Sequence, residues 1–305
     1  MLLSTLMTYI QNSNKIILEN IKSFNIQQIL ECGQAFRFNK IDDNHYVVIA
    51  FEKALYIKQK ESTVEFYPCN INEFEDIWIK YFDLNRDYCY IKEQISKDDA
   101  IMQEAISFAP GIRLLNQDSY ECLISFIISQ NNHIPRIKQI INNLSCSYGK
   151  KINDTSEHMG DYYSFPTYTI FENLTNEDIM ACKTGFRAKY IKDACNKIAS
   201  GHIDLADLVS GEEIYSREKL MSIHGVGQKV SDCVLLFSLE KYASFPIDVW
   251  VKRVMEELYF DGKPTAVPDI HAFAKQRWGQ YGGFAQQYLF YYAKEKKIGT
   301  KKEEK

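Results

Sequence analysis

One lysine of this chain closely follows a glycine turn. Gly225 and Gly227 bound a Gly-Val-Gly sequence between two helical patterns, and Lys229 lies in the first turn of the second pattern. Two glycines between helices permit a tight hairpin, which can bind phosphate through backbone N–H groups beside a helix N-terminus without reading a base sequence. The amine of Lys229 would then lie next to the docked phosphate backbone. Asp248, which follows Pro246, is the nearest downstream acid at a helix start.

Two amphipathic helices must position these residues. The first is predicted to begin at Gln228, and its apolar residues at i, i+3, i+4 and i+7 are Val230, Cys233, Val234 and Phe237. The second is predicted after Pro246 with Asp248 as its N-cap, and its buried stripe is Val251, Val254, Met255 and Leu258. Lys229 and Asp248 are therefore both expected at helix N-termini.

The segments GVGQK and FPID together resemble the helix-hairpin-helix DNA glycosylases, which have a Gly/Pro-rich loop followed by an aspartate. This resemblance implies that Lys229 is the nucleophile and Asp248 the family's aspartate. The chain departs from the family at His224, where proline is usual, and at Trp250, where histidine is frequent. We expect His224 to affect hairpin stiffness more than chemistry. A lone helical lysine is usually a solvated charge and a glycine turn suits many loops, but their combination is much more specific.

Further segments resemble the 8-oxoguanine DNA glycosylases in particular. Gly33 lies in ECGQAFR, which resembles the segment whose glycine carbonyl reaches the damaged base. Gln286 and Phe290 share a helix face, where an amide can read a base edge and a ring can stack on the base. The resemblance also places Cys233 and Pro246 at the base pocket. Taken alone, Gly33 would fit a glycine bulge that opens a strand, and the helix an ordinary amphipathic one.

A second group resembles the family's residues that fill the space left by a flipped base. Asn131 and Arg136 lie between two predicted helices in QNNHIPR, and Phe186 and Arg187 lie at a helix start in TGFRAKY. The resemblance makes Phe186 a wedge in the base stack, where tyrosine is usual, and makes the other three residues partners of the opposite base. The glycine hairpin completes the DNA-binding residues. Each segment alone would fit an ordinary turn or helix start.

The N-terminal part of the chain is rich in strand signals. Runs of β-branched and aromatic residues occupy 46–50, 54–58 and 63–67, whereas the pattern is helical from residue 72 onward. We expect an α+β fold, in which an N-terminal antiparallel β-sheet domain packs on a mostly α-helical helix-hairpin-helix domain. The predicted parts are a sheet domain with flanking helices at 1–110, a helical glycosylase domain at 111–295 and a charged, disordered tail at 296–305.

Composition and charge narrow the classes of protein. The 305 residues are 46% hydrophobic and 25% charged, as in a soluble globular protein of about two domains. The net charge of −4 argues mildly against nucleic acid binding, although a local basic face is what docks on phosphate. Such a face, or an equally ordinary scattered surface, would contain Arg187, Lys189, Lys192, Lys229, Lys252 and Arg253. No apolar run is long enough to span a bilayer and no secretory signal is evident, so we expect a cytoplasmic location, or a nuclear one in a eukaryote.

The cysteines bear on cofactors. Eight cysteines are spread along the chain without a C-x-x-C pair, which is typical of reduced intracellular thiols. Several relatives hold an iron–sulfur cluster on four closely spaced cysteines after the lysine–aspartate region, but no cysteine follows Cys233. We therefore expect no iron–sulfur cluster, no other cofactor and no metal.

The resemblance covers most of the chain and implies a bifunctional 8-oxoguanine DNA glycosylase/lyase. Such an enzyme flips out the base, excises it through a lysine Schiff base and nicks the strand by β-elimination. The expected partner is double-stranded DNA with 8-oxoguanine, preferentially opposite cytosine, and the expected state is a monomer. Two alternatives remain at this point: a related glycosylase for another damaged base, and a non-catalytic helix-hairpin-helix DNA-binding module. The second has no use for Lys229 and Asp248 together.

Overall fold

The N-terminal part of the protein is a six-stranded antiparallel sheet. The structure is a computed structural model that describes residues 7–152 and 160–299. The strands are β1 (Thr8–Asn12), β2 (Lys15–Glu19), β3 (Phe38–Asp42), β4 (His45–Ala50), β5 (Lys53–Lys60) and β6 (Thr63–Tyr67). Their spatial order is β1-β2-β6-β5-β4-β3. The predicted antiparallel sheet is confirmed, and its three predicted strands correspond to β4, β5 and β6.

β5 and β6 each bury residues on one shared face of the sheet. Leu55 and Ile57 of β5 and Val64 and Phe66 of β6 are fully buried, and Ile57 pairs with Phe66 across the two strands. Their shared face packs on the aromatic residues Phe74, Trp78 and Phe82. β1 gives no comparable signal in the sequence, because its residues are mostly exposed and Ile10 is 54% exposed.

Helices occupy most of the remaining chain, as predicted. Those near the sheet are α1 (Ile26–Glu31), α2 (Ile71–Glu73), α3 (Ile79–Tyr81), α4 (Tyr88–Ser96) and α5 (Ala100–Phe108), with a π-helical segment (Phe74–Trp78) between α2 and α3. The others are α6 (Ser119–Ser129), α7 (Ile134–Tyr148), α8 (Tyr168–Asn173), α9 (Asn176–Ala181), α10 (Ala188–Ala199), α11 (Leu205–Ser210), α12 (Glu213–Met221), α13 (Gln228–Ser238), α14 (Val249–Tyr259), α15 (Val267–Trp278) and α16 (Gly282–Lys296). Short 3₁₀ turns (Gly185–Arg187 and Gly279–Tyr281) precede α10 and α16.

A large apolar core holds the helical region together around α6. Its residues from Cys122 to Ile128 are all buried, and the ring of Phe126 stacks on that of Phe237 of α13 with centroids 5.5 Å apart. α4 and α5, which precede the boundary predicted at 110/111, pack in this core through Ile91 and Met102 rather than in the sheet core. The helix that carries Lys229, α13, is therefore packed against a helix with a largely buried C-terminal half.

The last helix, α16, ties the sheet domain to the helical domain. Gln287 donates from Nε2 to the Cys32 sulfur at 3.2 Å, and Lys294 donates to the carbonyl of Glu31 at 3.1 Å. The helix ends at Lys296, and 300–305 of the predicted tail lie outside the described residues. Among 7–152 and 160–299, no helix has the length and apolar character needed to cross a membrane.

Candidate active site

The Gly-Val-Gly hairpin joins α12 to α13 in a conformation that requires glycine. Gly225 has φ of +80°, and Gly227 is the N-cap of α13. A Cβ atom at Gly225 would lie 2.5 Å from the ring of Tyr190, a contact that side chains do not make. No described atom lies within 4 Å of a Cβ built on Gly227, so this side of the turn is open. The hairpin is therefore closed against α10 on one side and accessible on the other.

His224 allows a contact that proline could not make. Its backbone N–H donates to Asp193 Oδ2 of α10 at 2.7 Å, whereas proline has no N–H. Asp193 also pairs with Lys197 at 2.9 Å. Partial burial opposes ionisation of Asp193, but Lys197 and the His224 N–H outweigh it and lower the pKa of this carboxyl. At the position where relatives usually have proline, the His224 N–H thus links the hairpin to the Asp193–Lys197 ion pair of α10.

Lys229 lies partly buried in the first turn of α13. Its Nζ donates to Ser129 Oγ at 3.3 Å and lies 5.2 Å from the centre of the Phe126 ring. No carboxylate in the described part of the chain lies within ion-pair distance of this amine. The amine therefore rests against an apolar wall with one hydroxyl partner, and no carboxylate holds it away from a substrate.

Asp248 is the N-cap of α14, as predicted. One carboxylate oxygen accepts the N–H of Val251 at 2.7 Å, which fixes the side chain at the helix start. Burial raises the pKa of the Cys233 thiol to about 12, while nearby Lys229 lowers it and the carboxylates of Asp232 and Asp248 raise it. Lys229 and Asp248 thus lie in the first turn of α13 and at the N-cap of α14, and both are near enough to Cys233 to affect its pKa.

The predicted base-reading residues form a second cluster. Gly33 lies in a turn after α1 with φ of +82°, so it does not open a strand as a bulge. A Cβ atom at Gly33 would lie 2.9 Å from the ring of Phe290, which places the Gly33 backbone directly against that ring. Residues 257 positions apart are thus brought into contact.

Gln286 carries an unpaired acceptor. Its side chain is 4% exposed, and its Oε1 atom has no hydrogen-bond partner among the residues that the structure describes. An unpaired buried polar group costs about 1–3 kcal/mol, so this acceptor is available to a hydrogen-bond donor of a bound ligand. Pro246, in the segment before Asp248, is buried like Cys233.

The residues predicted to read the opposite base line one open pocket, the Phe186 pocket. It has a volume of about 500 Å³ and is lined by Asn131, Asn132, His133, Arg136, Gly185, Phe186 and Arg187. Phe186 is 50% exposed, which is unusual for a ring of this size and suits an inserting wedge. Asn131 and Arg136 are also exposed.

Arg187 is oriented differently from what the sequence indicated. Its guanidinium is buried. Nε donates to the carbonyl of Gln130 at 3.0 Å, Nη2 to that of Asn131 at 3.0 Å and Nη1 to that of Thr184 at 3.3 Å. Burial and the nearby Arg136 lower its pKa. In this state Arg187 braces the loop that carries Asn131, and Arg136 is the arginine free to face a base.

The basic face predicted from the sequence is only partly available. Lys192 donates to the carbonyls of Phe171, Glu172 and Leu174 at 2.7–2.8 Å, and Lys252 pairs with Glu256 at 2.6 Å. Lys189 and Arg253 are exposed. Cations that hold protein carbonyls or carboxylates contribute less to a phosphate-binding surface than free ones.

The sequence did not identify four residues that support the site. Ser129 and Phe126 contact the Lys229 amine, and Asp193 and Tyr190 support the hairpin. The only available signal was helical spacing: Tyr190, Asp193 and Lys197 follow one another at i, i+3 and i+7, which predicts a shared face without naming its partner.

Comparison with known proteins gives matches over nearly the whole chain. Residues 16–123 match the family model of the 8-oxoguanine DNA glycosylase N-terminal domain, and 124–278 match that of the HhH-GPD superfamily base excision DNA repair proteins. The N-glycosylase/DNA lyase of Saccharomyces cerevisiae is 28% identical over 87% of this chain and 82% of its own.

Two solved structures are similar over almost their full length. MBOgg1 in complex with a low-affinity DNA ligand is 43% identical, with a TM-score of 0.91 over 95% of this chain and 99% of that chain. The Clostridium acetobutylicum 8-oxoguanine glycosylase/lyase, in complex with double-stranded DNA containing cytosine opposite 8-oxoguanine, is 40% identical, with the same TM-score and the same coverage of both chains.

Proposed function

Because the chain belongs to the 8-oxoguanine DNA glycosylases of the helix-hairpin-helix (HhH-GPD) superfamily, we propose that it excises 8-oxoguanine from duplex DNA, preferentially opposite cytosine, and then cleaves the strand as a lyase. The observation that carries this proposal is the position of Lys229 in the first turn after a hairpin with an open side, together with Asp248 fixed at the N-cap of α14. An amine next to a docked phosphate backbone can reach the sugar of a flipped nucleotide.

Excision begins with removal of the base from the stack. An enzyme that acts on a base inside a duplex must extrude it and offset the lost stacking and pairing. Phe186 projects from the protein surface at the mouth of its pocket, where its ring can fill the gap. The Phe186 pocket then receives the base that has lost its partner.

Lys229 performs the covalent chemistry in this mechanism. Its neutral amine attacks C1′, the bond from C1′ to N9 breaks, and the base leaves with the bonding electrons and takes up a proton. Ring opening then gives a Schiff base between Nζ and C1′. Loss of a proton from C2′ expels the 3′ phosphate, which nicks the strand by β-elimination. Each step uses an amine and proton transfers, so the proposed reaction requires no metal ion, iron–sulfur cluster or other cofactor.

Asp248 stabilises the charge that grows on the sugar. As the bond to the base breaks, positive charge develops at C1′ and the ring oxygen, and a fixed carboxylate favours that state over the neutral sugar. The hydrogen bond from Val251 holds Asp248 in place before the reaction begins. This fixed position is what makes the carboxylate effective, because it needs no reorganisation in the transition state.

Recognition of the lesion uses Gly33, Gln286 and Phe290. The N7 atom of guanine is an acceptor, whereas in 8-oxoguanine it carries a hydrogen and becomes a donor. The carbonyl of Gly33 can accept that hydrogen, and undamaged guanine would place two acceptors together. The unpaired Oε1 of Gln286 accepts from another edge of the base, and the Phe290 ring, which lies against Gly33, supplies a stacking surface.

Gly33→Ala is expected to reduce 8-oxoguanine excision more than general DNA binding. The added methyl group would meet the Phe290 ring at 2.9 Å, and its backbone would have to keep a φ of +82°. Both effects disturb the lesion side of the site without touching the hairpin. Single-turnover excision and the dissociation constant for undamaged duplex measure the two separately, and equal losses in both would make Gly33 a purely structural glycine.

The opposite base should influence the rate strongly. Cytosine presents two acceptors and an amino donor, which match the donors of Arg136 and the side-chain oxygen of Asn131; Arg187 matches the second acceptor only if it leaves its carbonyl partners. Adenine places an amino group against an arginine donor, and each unmatched contact costs roughly 1–3 kcal/mol. We expect much faster excision opposite cytosine than opposite adenine in single-turnover assays of the four duplexes. Equal rates would mean that these residues do not read the base.

A panel of lesion duplexes tests the proposed substrate against its alternatives. The protein is incubated with duplexes that contain 8-oxoguanine, an alkylated base or thymine glycol, and base release and strand cleavage are followed separately. Release of 8-oxoguanine with strand cleavage supports the proposal. Preferential release of another base would indicate a related glycosylase, and binding without release would indicate a non-catalytic DNA-binding module.

A further inference from the structure

A second groove lies next to the Phe186 pocket along the first turns of α7. This groove, the α7 groove, has a volume of about 660 Å³ and is lined by His133, Pro135, Arg136, Gln139 and Lys183. His133 and Arg136 line both cavities, so the two are adjacent. We propose that the α7 groove binds the sugar–phosphate backbone of the undamaged strand beside the orphan base, with Lys183 and His133 as phosphate donors. The inference rests on the function proposed above.

The charge of the α7 groove is unsatisfied within the protein. Lys183 and Arg136 are exposed, and their side chains form no hydrogen bond or ion pair with a residue in the described ranges, unlike Lys192 and Lys252. None of the residues that line the groove is acidic. Free cations along a concave surface are complementary to a polyanion, since their docking releases the counterions condensed on phosphates.

The backbone places Lys183 beside α7. Lys183 has φ of +68°, the left-handed conformation that often ends a helix, and it directly follows Cys182, the C-cap of α9. Its N–H donates to the carbonyl of Met180 at 2.8 Å, and Asn143 of α7 donates to the carbonyl of Cys182 at 3.3 Å. The first bond belongs to the end of α9 and the second attaches Cys182 to α7, so the backbone of Lys183 is held beside that helix.

His133 can contact phosphate while it caps α7. Its Nδ1 atom accepts the N–H of Arg136 at 3.4 Å, so in the neutral ring the proton resides on Nε2. The side chain is exposed and lines both cavities. Nε2 is therefore a donor directed away from the helix cap. It lies where the Phe186 pocket and the α7 groove share a wall.

The position of the groove determines which strand it binds. The damaged strand must pass the hairpin, because its sugar has to reach Lys229. The base without a partner belongs to the other strand and lies in the Phe186 pocket. Since the α7 groove shares His133 and Arg136 with that pocket, the backbone that enters it is the next part of the undamaged strand.

Removal of single phosphate charges tests this assignment. In the undamaged strand, each phosphate within three nucleotides of the orphan base is replaced in turn by an uncharged methylphosphonate, opposite an uncleavable abasic analogue. Dissociation constants are measured for the wild-type protein, Lys183→Gln and the control Lys97→Gln, an exposed lysine between α4 and α5. We expect one or two adjacent positions to weaken wild-type binding about three- to tenfold and to have no further effect in Lys183→Gln. The slope of log K against log salt concentration should also be smaller in magnitude by about 0.9 for Lys183→Gln than for the wild-type protein.

The outcomes separate this inference from the proposed function. The inference is overturned if the effects of Lys183→Gln and of every methylphosphonate are additive. It is also overturned if non-additivity appears only when the same replacements are made in the damaged strand. Either result would hold even if the wild-type protein excises 8-oxoguanine normally. Lys183→Gln keeps Lys229 and Asp248, so saturating amounts should still form the Schiff base. If the wild-type protein itself forms none on 8-oxoguanine duplex, the proposed function fails, and the inference fails with it.

A variant at His133 separates the cap from the phosphate contact. Serine is a good N-cap residue, so His133→Ser should keep the stability of α7 but cannot reach a phosphate. We expect an unchanged melting temperature and several-fold weaker DNA binding. The methylphosphonates that weaken wild-type binding should have a smaller effect on the affinity of this variant. Unchanged affinity would show that His133 only caps the helix and would contradict its role in the α7 groove.

Discussion

Lys229→Gln is expected to abolish base release and Schiff-base formation while duplex binding remains largely intact. Glutamine can still donate to Ser129 but has no nucleophilic amine, so the covalent step has no substitute; we expect a loss of about 1,000-fold or more. The hairpin and the Phe186 pocket, which contact DNA in this mechanism, are unchanged. Single-turnover excision and a binding titration on the same 8-oxoguanine duplex give the two quantities.

Ser129→Ala is the matched control for this variant. It removes the 3.3 Å contact to the Lys229 amine and keeps the amine itself. A neutral hydrogen bond contributes about 0.5–1.5 kcal/mol, so excision should fall no more than about tenfold and trapping should persist. Normal trapping by Lys229→Gln would show that another amine is the nucleophile.

Asp248→Asn is expected to slow base release strongly without loss of stability. Asparagine is as good an N-cap as aspartate and can still accept the Val251 N–H, so the start of α14 is preserved. The negative charge at the sugar is lost, and removal of one electrostatic contact of this kind costs about 100- to 1,000-fold in rate. Melting curves and single-turnover rates measured on the same preparation distinguish the two roles.

Asp248→Ala removes the charge and the cap together. Its excision rate should match that of Asp248→Asn, but its stability should fall by about 0.5–2 kcal/mol because the N–H of Val251 loses its acceptor. A wild-type rate in Asp248→Asn would mean that Asp248 acts only as a helix cap, and another group would have to stabilise the sugar.

The sequence predicted the parts of the site that depend on local pattern. Hairpin, helix N-terminus and N-cap lie within a few residues of one another, so Lys229 and Asp248 could be placed on their helices from the sequence alone. Runs of β-branched and aromatic residues likewise predicted β4, β5 and β6. β1 was missed because an exposed edge strand has little apolar alternation to detect.

Contacts between distant residues required the structure. No periodicity predicts that Gly33 lies against Phe290 or that Asp193 accepts the His224 N–H, because both contacts depend on how the helices pack. The direction of the Arg187 side chain could not be predicted from the sequence either. Arg187 follows the wedge residue in sequence, but its guanidinium is turned inward onto the loop of Gln130 and Asn131.

Borohydride trapping with identification of the modified residue shows directly whether Lys229 is the nucleophile. The wild-type protein is incubated with 8-oxoguanine duplex in the presence of borohydride, and the covalent complex is digested and analysed by mass spectrometry. We expect a stable protein–DNA complex whose modification lies on Lys229. A complex linked through any other residue, or base release with no complex at all, would contradict this expectation.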